Sequence, residues 1–399
     1  MRNIIGQPVA GDDLYGREYE LDRLWEQLEQ GEHILMLAPR RVGKTSLMLE
    51  LENAPRAGWD VINVDVQGGE GPEDCFAAIL AKLAADSRYR TRFEAIPFSS
   101  TIKRVVEGMS ANVDVGVLRV ELKRAIGSEW DRVAAQLQAR LTNLPDSAER
   151  LLVILDELPI LISRMLRSGG GKSNADLLLA RLRQWRQAPE LRGRVHTLVG
   201  GSIGLEGLLR RVGLSASIND LVPFRVDPWE RSIAIRFLER LGRDVGFGLD
   251  DESIIRILDL LMDPVPYHIQ LFYSSLRDAC RGDPSRVSRD VIDRCFEEQL
   301  AGESGTAHLD HYYTRLEFAF DGQELELAHA ILESACTSRA GARLAAIGAM
   351  RRGREQIIRS VLRDLKADGY VREMGRRVVF RSNLLRVWWR KHHVRGDNR

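Results

Sequence analysis

A short stretch of small and basic residues follows the first apolar segment of the chain. Residues 37–48 read LAPRRVGKTSLM and nearly fit the pattern G-x-x-x-x-G-K-[ST], with Ala38 at the position of the first glycine. In this pattern, backbone amides at a helix N-terminus hold phosphates, the lysine reaches the outer phosphates and the hydroxyl serves Mg²⁺. The stretch therefore predicts a nucleotide-binding loop made of Ala38, Pro39, Arg40, Arg41, Val42, Gly43, Lys44, Thr45 and Ser46.

Two acidic residues end another apolar segment further along the chain. The segment RLLVILDELP (150–159) carries Asp156 and Glu157. Asp156 is expected to hold Mg²⁺ together with Thr45, and Glu157 to orient or deprotonate the attacking water. An acidic pair after an apolar run is usually a solvated helix start, but downstream of such a loop it favours the catalytic interpretation. A protein that only binds nucleotide needs no base, so Glu157 points to hydrolysis.

Short apolar strands alternate with helical patterns over the first half of the chain. This alternation predicts a parallel sheet covered by helices on both faces. A further segment, ANVDVGVLRVELK (111–123), alternates apolar and polar residues and predicts an extra strand or hairpin. The main strands are expected at HILMLA (33–38), DVINVDV (60–66), RLLVILDELP (150–159), RVHTLVGG (194–201) and LVPFRV (221–226).

The pattern changes at Asp227, after which helix follows helix to about residue 300. From about residue 307, three helical segments precede two short strands joined at Gly375-Arg376, which is typical of a winged helix. The predicted fold class is α/β: a P-loop NTPase parallel sheet with helices on both faces, followed by an all-helical lid and a winged-helix domain. The domains are expected at 1–226, 227–306 and 307–399.

Composition places the chain among soluble globular proteins. It has 399 residues, of which 44% are hydrophobic and 29% charged, and no apolar run approaches the roughly 18 residues that a membrane span requires. The N-terminus lacks the apolar stretch of a signal peptide. Four scattered cysteines argue against a disulfide framework or a zinc site. We therefore expect a cytoplasmic protein without a membrane partner.

The net charge of +1 conceals a strong asymmetry. Residues 339–399 contain 17 Lys or Arg and 5 Asp or Glu, whereas residues 1–338 contain 41 and 52. The basic end suggests DNA binding by the third helix and hairpin, although docking onto the acidic body or onto a partner protein is the alternative. The candidate DNA contacts are Arg354, Arg359, Arg363, Lys366, Arg372, Arg376, Arg377 and Arg381.

Four segments together resemble a known family. DDLYGREYELDRL, APRRVGKTSLM, LLVILDELP and GGSIGL occur in this order and look like prokaryotic AAA+-type ATPases close to the archaeal ATPase and STAND groups. The C-terminal LRDLKADGY and VVFRSNLLRVWW resemble the winged-helix end of the same group. The resemblance covers most of the chain.

The resemblance implies further roles at matching positions. Gly16 and Arg17 would lie near the adenine. Ser202 would act as sensor 1 near the γ-phosphate, with a helix N-cap as its alternative role. Related ATPases carry a sensor-2 arginine or a nucleotide-contacting proline in the lid, and here Pro266 or His268 would make that contact. The expected arginine finger for a neighbouring subunit is Arg210 or Arg211, for which a solvated helix C-terminus is the alternative.

These features predict a cytoplasmic, Mg²⁺-dependent ATPase. ATP binding would order the lid and control DNA engagement or assembly into a homo-oligomer. The alternative is a STAND-like signalling switch that turns over slowly and regulates a separate effector protein, as in toxin–antitoxin or phage-defence systems. A small-molecule kinase fits poorly because the chain has no evident acceptor-site motif.

Overall fold

The computed structural model describes residues 1–85, 99–107, 114–142, 149–201, 204–349 and 355–394. The chain forms two compact units. The sheet unit comprises Glu20–Leu37 and Met48–Phe224, and the C-terminal unit comprises Met1–Tyr19, Ala38–Leu47 and Arg225–Arg399. No helix among the described residues is both long enough and apolar enough to cross a membrane.

A five-stranded sheet forms the centre of the sheet unit. Its order is β2-β3-β4-β1-β5, and the pairs β2–β3, β3–β4 and β1–β4 are parallel. The central strands are almost wholly buried, which explains their continuous apolar runs. The predicted parallel sheet is confirmed. Its strands are β1 (His33–Leu37), β2 (Trp59–Asp65), β3 (Arg150–Asp156), β4 (Val195–Gly200) and β5 (Leu221–Arg225).

Helices accompany these strands and contribute to one continuous apolar core. Among them, α3 is buried along most of its length, from Pro72 to Ala84. The helices of this half of the chain are α1 (Glu18–Glu29), α2 (Lys44–Asn53), α3 (Pro72–Ala85), α4 (Ser100–Glu107), α5 (Val115–Ile126), α6 (Trp130–Thr142), α7 (Leu158–Arg167), α8 (Gly171–Gln187) and α9 (Leu205–Val212).

The strand or hairpin predicted over 111–123 was wrong, because α5 occupies its described part. The Asp114 carboxylate caps this helix by accepting a hydrogen bond from the Gly116 N–H at 2.6 Å. Leu118, Leu122 and Ile126 follow at intervals of four residues and are buried. The helical spacing of these three side chains and the cap outweigh the alternation of the valines. Val115, Val117 and Val120 remain solvent-exposed on α5.

Helices dominate the C-terminal unit, as the pattern after Asp227 predicted. Its small antiparallel sheet has the order β6-β8-β7, and β6 was not predicted. The elements are helices α10 (Arg231–Val245), α11 (Asp251–Leu261), α12 (Pro266–Ala279), α13 (Arg289–Arg294), α14 (Glu303–Thr314), α15 (Leu316–Ala319), α16 (Gly322–Cys336), α17 (Leu344–Ala349), α18 (Glu355–Ala367) and α19 (Asn383–His393), with strands β6 (Ala342–Arg343), β7 (Val371–Met374) and β8 (Arg377–Phe380).

The last helix, α19, anchors this unit through its tryptophans. Trp388 and Trp389 are fully buried, and the Trp388 indole donates a hydrogen bond to the Thr306 hydroxyl at 3.3 Å. At the start of α19, the Asn383 amide donates to the Leu260 carbonyl at 2.7 Å. These side chains therefore hold α19 against the helices that precede it rather than standing open to stack on nucleic-acid bases.

Candidate functional site

Two candidate segments begin at the same edge of the sheet. Strands β1 and β3 are both parallel to β4, which lies between them. Their carboxyl ends therefore meet at one edge, where ligands bind in open α/β sheets. The predicted phosphate-binding sequence follows directly on Leu37, the last residue of β1, and Asp156 is the last residue of β3. Both predicted motifs thus start from the strand ends that this chemistry requires.

The loop turns into α2 through a glycine with a positive φ. Gly43 has a φ of +99° and lies directly before α2, whose first turn contains Lys44, Thr45 and Ser46. The amides of such a first turn have no partner within the helix and point along its axis. The Ser46 hydroxyl accepts a hydrogen bond from the Val9 N–H at 3.1 Å, which fixes the first turn to the N-terminal segment.

The N-terminal segment contacts this loop through Arg17. Arg17 is only 4% exposed, and its Nη2 donates to the Val42 carbonyl at 2.7 Å and to the Asp227 carbonyl at 2.9 Å. Gly16 has a φ of +63°, and a Cβ there would lie 2.5 Å from the Ile233 side chain. Only glycine therefore allows this segment to approach α10 so closely.

Residues of the C-terminal helices pack against the variable positions of the loop. The Arg40 guanidinium donates to the His311 carbonyl at 3.2 Å, and the Arg41 guanidinium lies 4.3 Å from the centre of the Tyr267 ring. Burial, followed by repulsion from Arg315, lowers the pKa of Arg40 to about 10. Arg40 and His311 are 271 positions apart, and no local sequence signal indicated this contact.

Neutral histidines lie beside these arginines. Burial, with repulsion from Arg40 next in size, lowers the pKa of His311 to about 2. Burial and the nearby Arg41 lower the pKa of His268 to about 3. His268 is 1% exposed, and its Nδ1 lies 3.3 Å from the Ser382 hydroxyl. His268 therefore forms part of the packed interior of the C-terminal unit.

The acidic edge of the sheet contains three carboxylates. Asp156 is 5% exposed, and its Oδ1 accepts a hydrogen bond from the Glu157 N–H at 2.9 Å. Glu157 has a φ of +60°, a conformation that is uncommon for residues with a side chain and typical of functional turns. Asp65 is paired in register with Asp156. Partial desolvation and the neighbouring Asp156 and Glu157 carboxylates raise the pKa of Asp65.

Sequence reasoning missed Asp65, although its place as the last residue of β2 was the available signal. Gly200, which ends β4, keeps room beside the acidic edge. A Cβ at Gly200 would lie 2.0 Å from the Met48 side chain in α2 and 3.6 Å from Asp156 Oδ1. The carboxylate of Asp156 is the type of hard oxygen donor that Mg²⁺ prefers, so its chemistry fits this ion.

Other residues that the family resemblance assigned to the nucleotide site lie at the ends of helices or outside the described residues. Pro266 is the first residue of α12 and is buried. Arg210 and Arg211 occupy the last turn of α9, which ends at Gly213 with a φ of +78°. Ser202 lies outside the residues that the structure describes.

Several of the basic residues proposed for DNA contacts are engaged within the C-terminal unit. Arg372 Nη1 lies 3.0 Å from Asp263 Oδ1, and Arg381 Nε lies 2.8 Å from Asp263 Oδ2. The Asp263 carboxylate thereby joins β7 and the residue that follows β8 to the turn that precedes α12. Arg377 donates to the Gly341 carbonyl at 2.9 Å.

Other basic residues of α18 and the hairpin face solvent. Lys366 pairs with Glu373 at 2.7 Å on a half-exposed surface. Arg359 is exposed and pairs with the equally exposed Glu355 at 3.4 Å, a contact of little energetic weight. Exposed guanidiniums available to a polyanion are those of Arg359, Arg363 and Arg376. Arg354 lies outside the described part of the chain.

Comparison with known proteins yields matches among solved structures. No family model and no curated protein sequence matches the chain. The Walker-type ATPase PABY2304 of Pyrococcus abyssi superimposes with a TM-score of 0.63 at 17% identity, covering 98% of this chain and 100% of that one. The ORC2 protein of Aeropyrum pernix, in ADPNP–ADP complexes, gives a TM-score of 0.53 at 15% identity, covering 95% and 94%. Over nearly its whole length, the chain therefore has the P-loop NTPase fold of these proteins.

Proposed function

We propose that this protein is a Mg²⁺-dependent ATPase of the AAA+ type that couples its nucleotide state to DNA binding or assembly. One observation carries the proposal. The phosphate-binding sequence follows the carboxyl end of β1, and Asp156 ends β3 at the same edge of one parallel sheet. A chance match to a short motif has no reason to coincide with an acid at the matching strand end.

The proposed roles follow from the chemistry of each residue. The amides of residues 42–46 and the Lys44 ammonium would bind the phosphates, while Thr45 and Asp156 would hold Mg²⁺. Bound Mg²⁺ would neutralise charge that develops on the phosphate oxygens. Glu157 would orient the attacking water and accept its proton.

The outer parts of the site rest on the family resemblance. Gly16, Arg17 and Pro266 would form part of the nucleotide site. Ser202 would sense the γ-phosphate. Arg210 or Arg211 would complete the site of a neighbouring subunit if ATP promotes self-association. The four cysteines are free thiols, which supports a reducing, cytoplasmic location.

For DNA, we propose that α16–α18 and the β7–β8 hairpin act as a winged helix that binds mainly to phosphates. The support is the basic C-terminal region and the exposure of Arg359, Arg363 and Arg376. Arg372 and Arg381 pair with Asp263, so they would instead hold the β7–β8 hairpin in position. The proposed DNA-binding surface therefore contains fewer basic residues than the sequence alone predicted.

A second candidate is a slow nucleotide-controlled switch that acts on a separate effector protein. The specific observation that favours it is the packing of Arg40 and Arg41 of the loop against His311 and Tyr267. A loop held in this way can report its occupancy to the C-terminal helices without rapid turnover. Such a protein would bind ATP tightly and hydrolyse it slowly.

Steady-state ATP turnover by the full chain, with and without duplex DNA and with and without Mg²⁺, tests the proposal. We expect Mg²⁺-dependent turnover that DNA changes, and no ATP binding by a folded Lys44→Ala variant, because that variant lacks the cation that reaches the outer phosphates. Tight binding with negligible turnover would favour the switch. Unchanged ATP affinity in Lys44→Ala would overturn the site assignment.

A further inference from the structure

Arg17 and the loop carbonyl of Val42 form a contact that the proposed ATPase roles do not use. Arg17 is 4% exposed and Val42 is fully buried. The Nη2 atom of Arg17 donates to the carbonyl of Val42 at 2.7 Å and to that of Asp227 at 2.9 Å. One nitrogen thus connects the phosphate loop to the start of the helical segment after β5.

This bond determines the direction of a loop amide. A trans peptide is planar, with its C=O and N–H pointing in opposite directions. A Val42 carbonyl held towards Arg17 therefore directs the Gly43 N–H away from Arg17. Gly43 is the residue immediately before α2, so its N–H belongs to the group of amides from which an anion-binding turn is built.

Gly43 itself does little to hold this orientation. Its φ of +99° lies in a region that glycine enters freely, and glycine tolerates the alternative orientations of the preceding peptide at little cost. The same freedom that lets the backbone approach a phosphate also lets the Val42–Gly43 peptide rotate. A charged donor on the carbonyl opposes that rotation, because hydrogen bonds from ionised groups are stronger than neutral ones.

Electrostatics indicates when this arrangement is most stable. The N-terminus of α2 carries a partial positive charge, and Arg17 adds a full charge beside the residue that precedes the helix. Both charges are of the same sign, and an anion bound at the loop offsets them. The Arg17 side chain is thus placed to prepare the loop for a polyphosphate.

We propose that Arg17 is a positioning residue of the nucleotide site, which orients the Gly43 amide for phosphate by holding the Val42 carbonyl. The assignment rests on the proposed nucleotide-binding function but differs from a contact with the adenine. Binding of the phosphate end of the nucleotide would depend on Arg17.

The test measures the affinity of the full chain for MgATP by calorimetric titration in Arg17→Ala. We expect binding about 10- to 100-fold weaker, from the loss of one charge-assisted hydrogen bond that orients the site. Added guanidinium should restore part of the affinity by filling the vacated position, whereas urea at the same concentration should not. Arg23→Ala, which removes a 48% exposed arginine of α1, should bind like the wild type.

A second variant covers the case in which Arg17→Ala does not fold. Arg17→Lys retains the charge on a shorter side chain, which cannot hold both carbonyls in place, and should also weaken MgATP binding. Wild-type affinity in folded Arg17→Ala or in Arg17→Lys would overturn the assignment, as would a loss that urea and guanidinium restore equally. If the wild type itself binds no MgATP, the proposed function fails rather than the role of Arg17 within it.

Discussion

A Cβ placed on Gly369 would lie 2.4 Å from the Cβ of Pro39. Gly369 belongs to the turn between α18 and β7, with a φ of +81°, and Pro39 belongs to the proposed phosphate-binding loop. The absence of a side chain at one position therefore allows the hairpin region to pack directly on the loop. Within the C-terminal unit, loop and hairpin are one packed assembly.

We expect Gly369→Ala to destabilise the protein by about 2–4 kcal/mol, from the unfavourable φ and a clash with Pro39. Gly375→Ala is the matched control, because its φ is +59° and its Cβ would meet nothing within 4 Å. The control should lose only about 1–2 kcal/mol. Denaturant unfolding of both variants measures the difference, and equal losses would contradict direct packing of the turn on the loop.

Acid should destabilise the protein through its buried neutral histidines. The pKa of His268 is about 3 in the folded protein and about 6.5 in an unfolded chain. Since the folded pKa is depressed for a basic group, the unfolded state binds more protons between these values. Stability should therefore fall as the pH drops below 6.5, by up to about 1.4 kcal/mol per pH unit for this histidine.

The histidine prediction is checked by unfolding at pH 7.5 and 5.5. His268→Gln should flatten the dependence because glutamine does not titrate, while His392→Gln, at an exposed position of α19, should leave it unchanged. An equally steep dependence in His268→Gln would show that other groups govern the acid sensitivity.

The two types of hairpin arginine should respond differently when DNA is the ligand. Arg376→Gln removes an exposed guanidinium and should weaken duplex binding, reducing the slope of log affinity against log salt by about one unit. Arg372→Gln removes a partner of Asp263 and should lower the unfolding temperature while changing the salt slope much less. Fluorescence anisotropy over a salt series distinguishes them. Equal slopes for Arg376→Gln and wild type would exclude Arg376 from a DNA contact.

Local patterns were enough to predict the elements that carry the proposed chemistry. The apolar run before Ala38, the helix after it and the apolar strand ending at Asp156 are each specified by neighbouring residues. Parallel strands place their carboxyl ends at the same edge of a sheet, so the sequence also predicted that the two motifs lie at one edge. The basic hairpin could be predicted because its two short strands and the turn between them are also specified by neighbouring residues.

Contacts between distant residues could not be read in this way. Asp263 and Arg381 are 118 positions apart. From the basic composition of its region, Arg381 was predicted to contact DNA, and its pairing with Asp263 was not foreseen. The helix over Val115–Ile126 was misassigned because its exposed valines imitate the alternation of a strand. Asp65 was overlooked although it ends β2, because its register with Asp156 joins strands that are distant in the sequence.

ATP binding and turnover by the full chain with Glu157→Gln test most directly whether Glu157 activates the attacking water. The amide keeps the size of the side chain and leaves Asp156 for the metal, but it cannot accept the proton of the water. We expect MgATP affinity within about threefold of wild type and turnover lowered by at least ~100-fold. Wild-type turnover in this variant, with ATP bound normally, would show that Glu157 does not activate the attacking water.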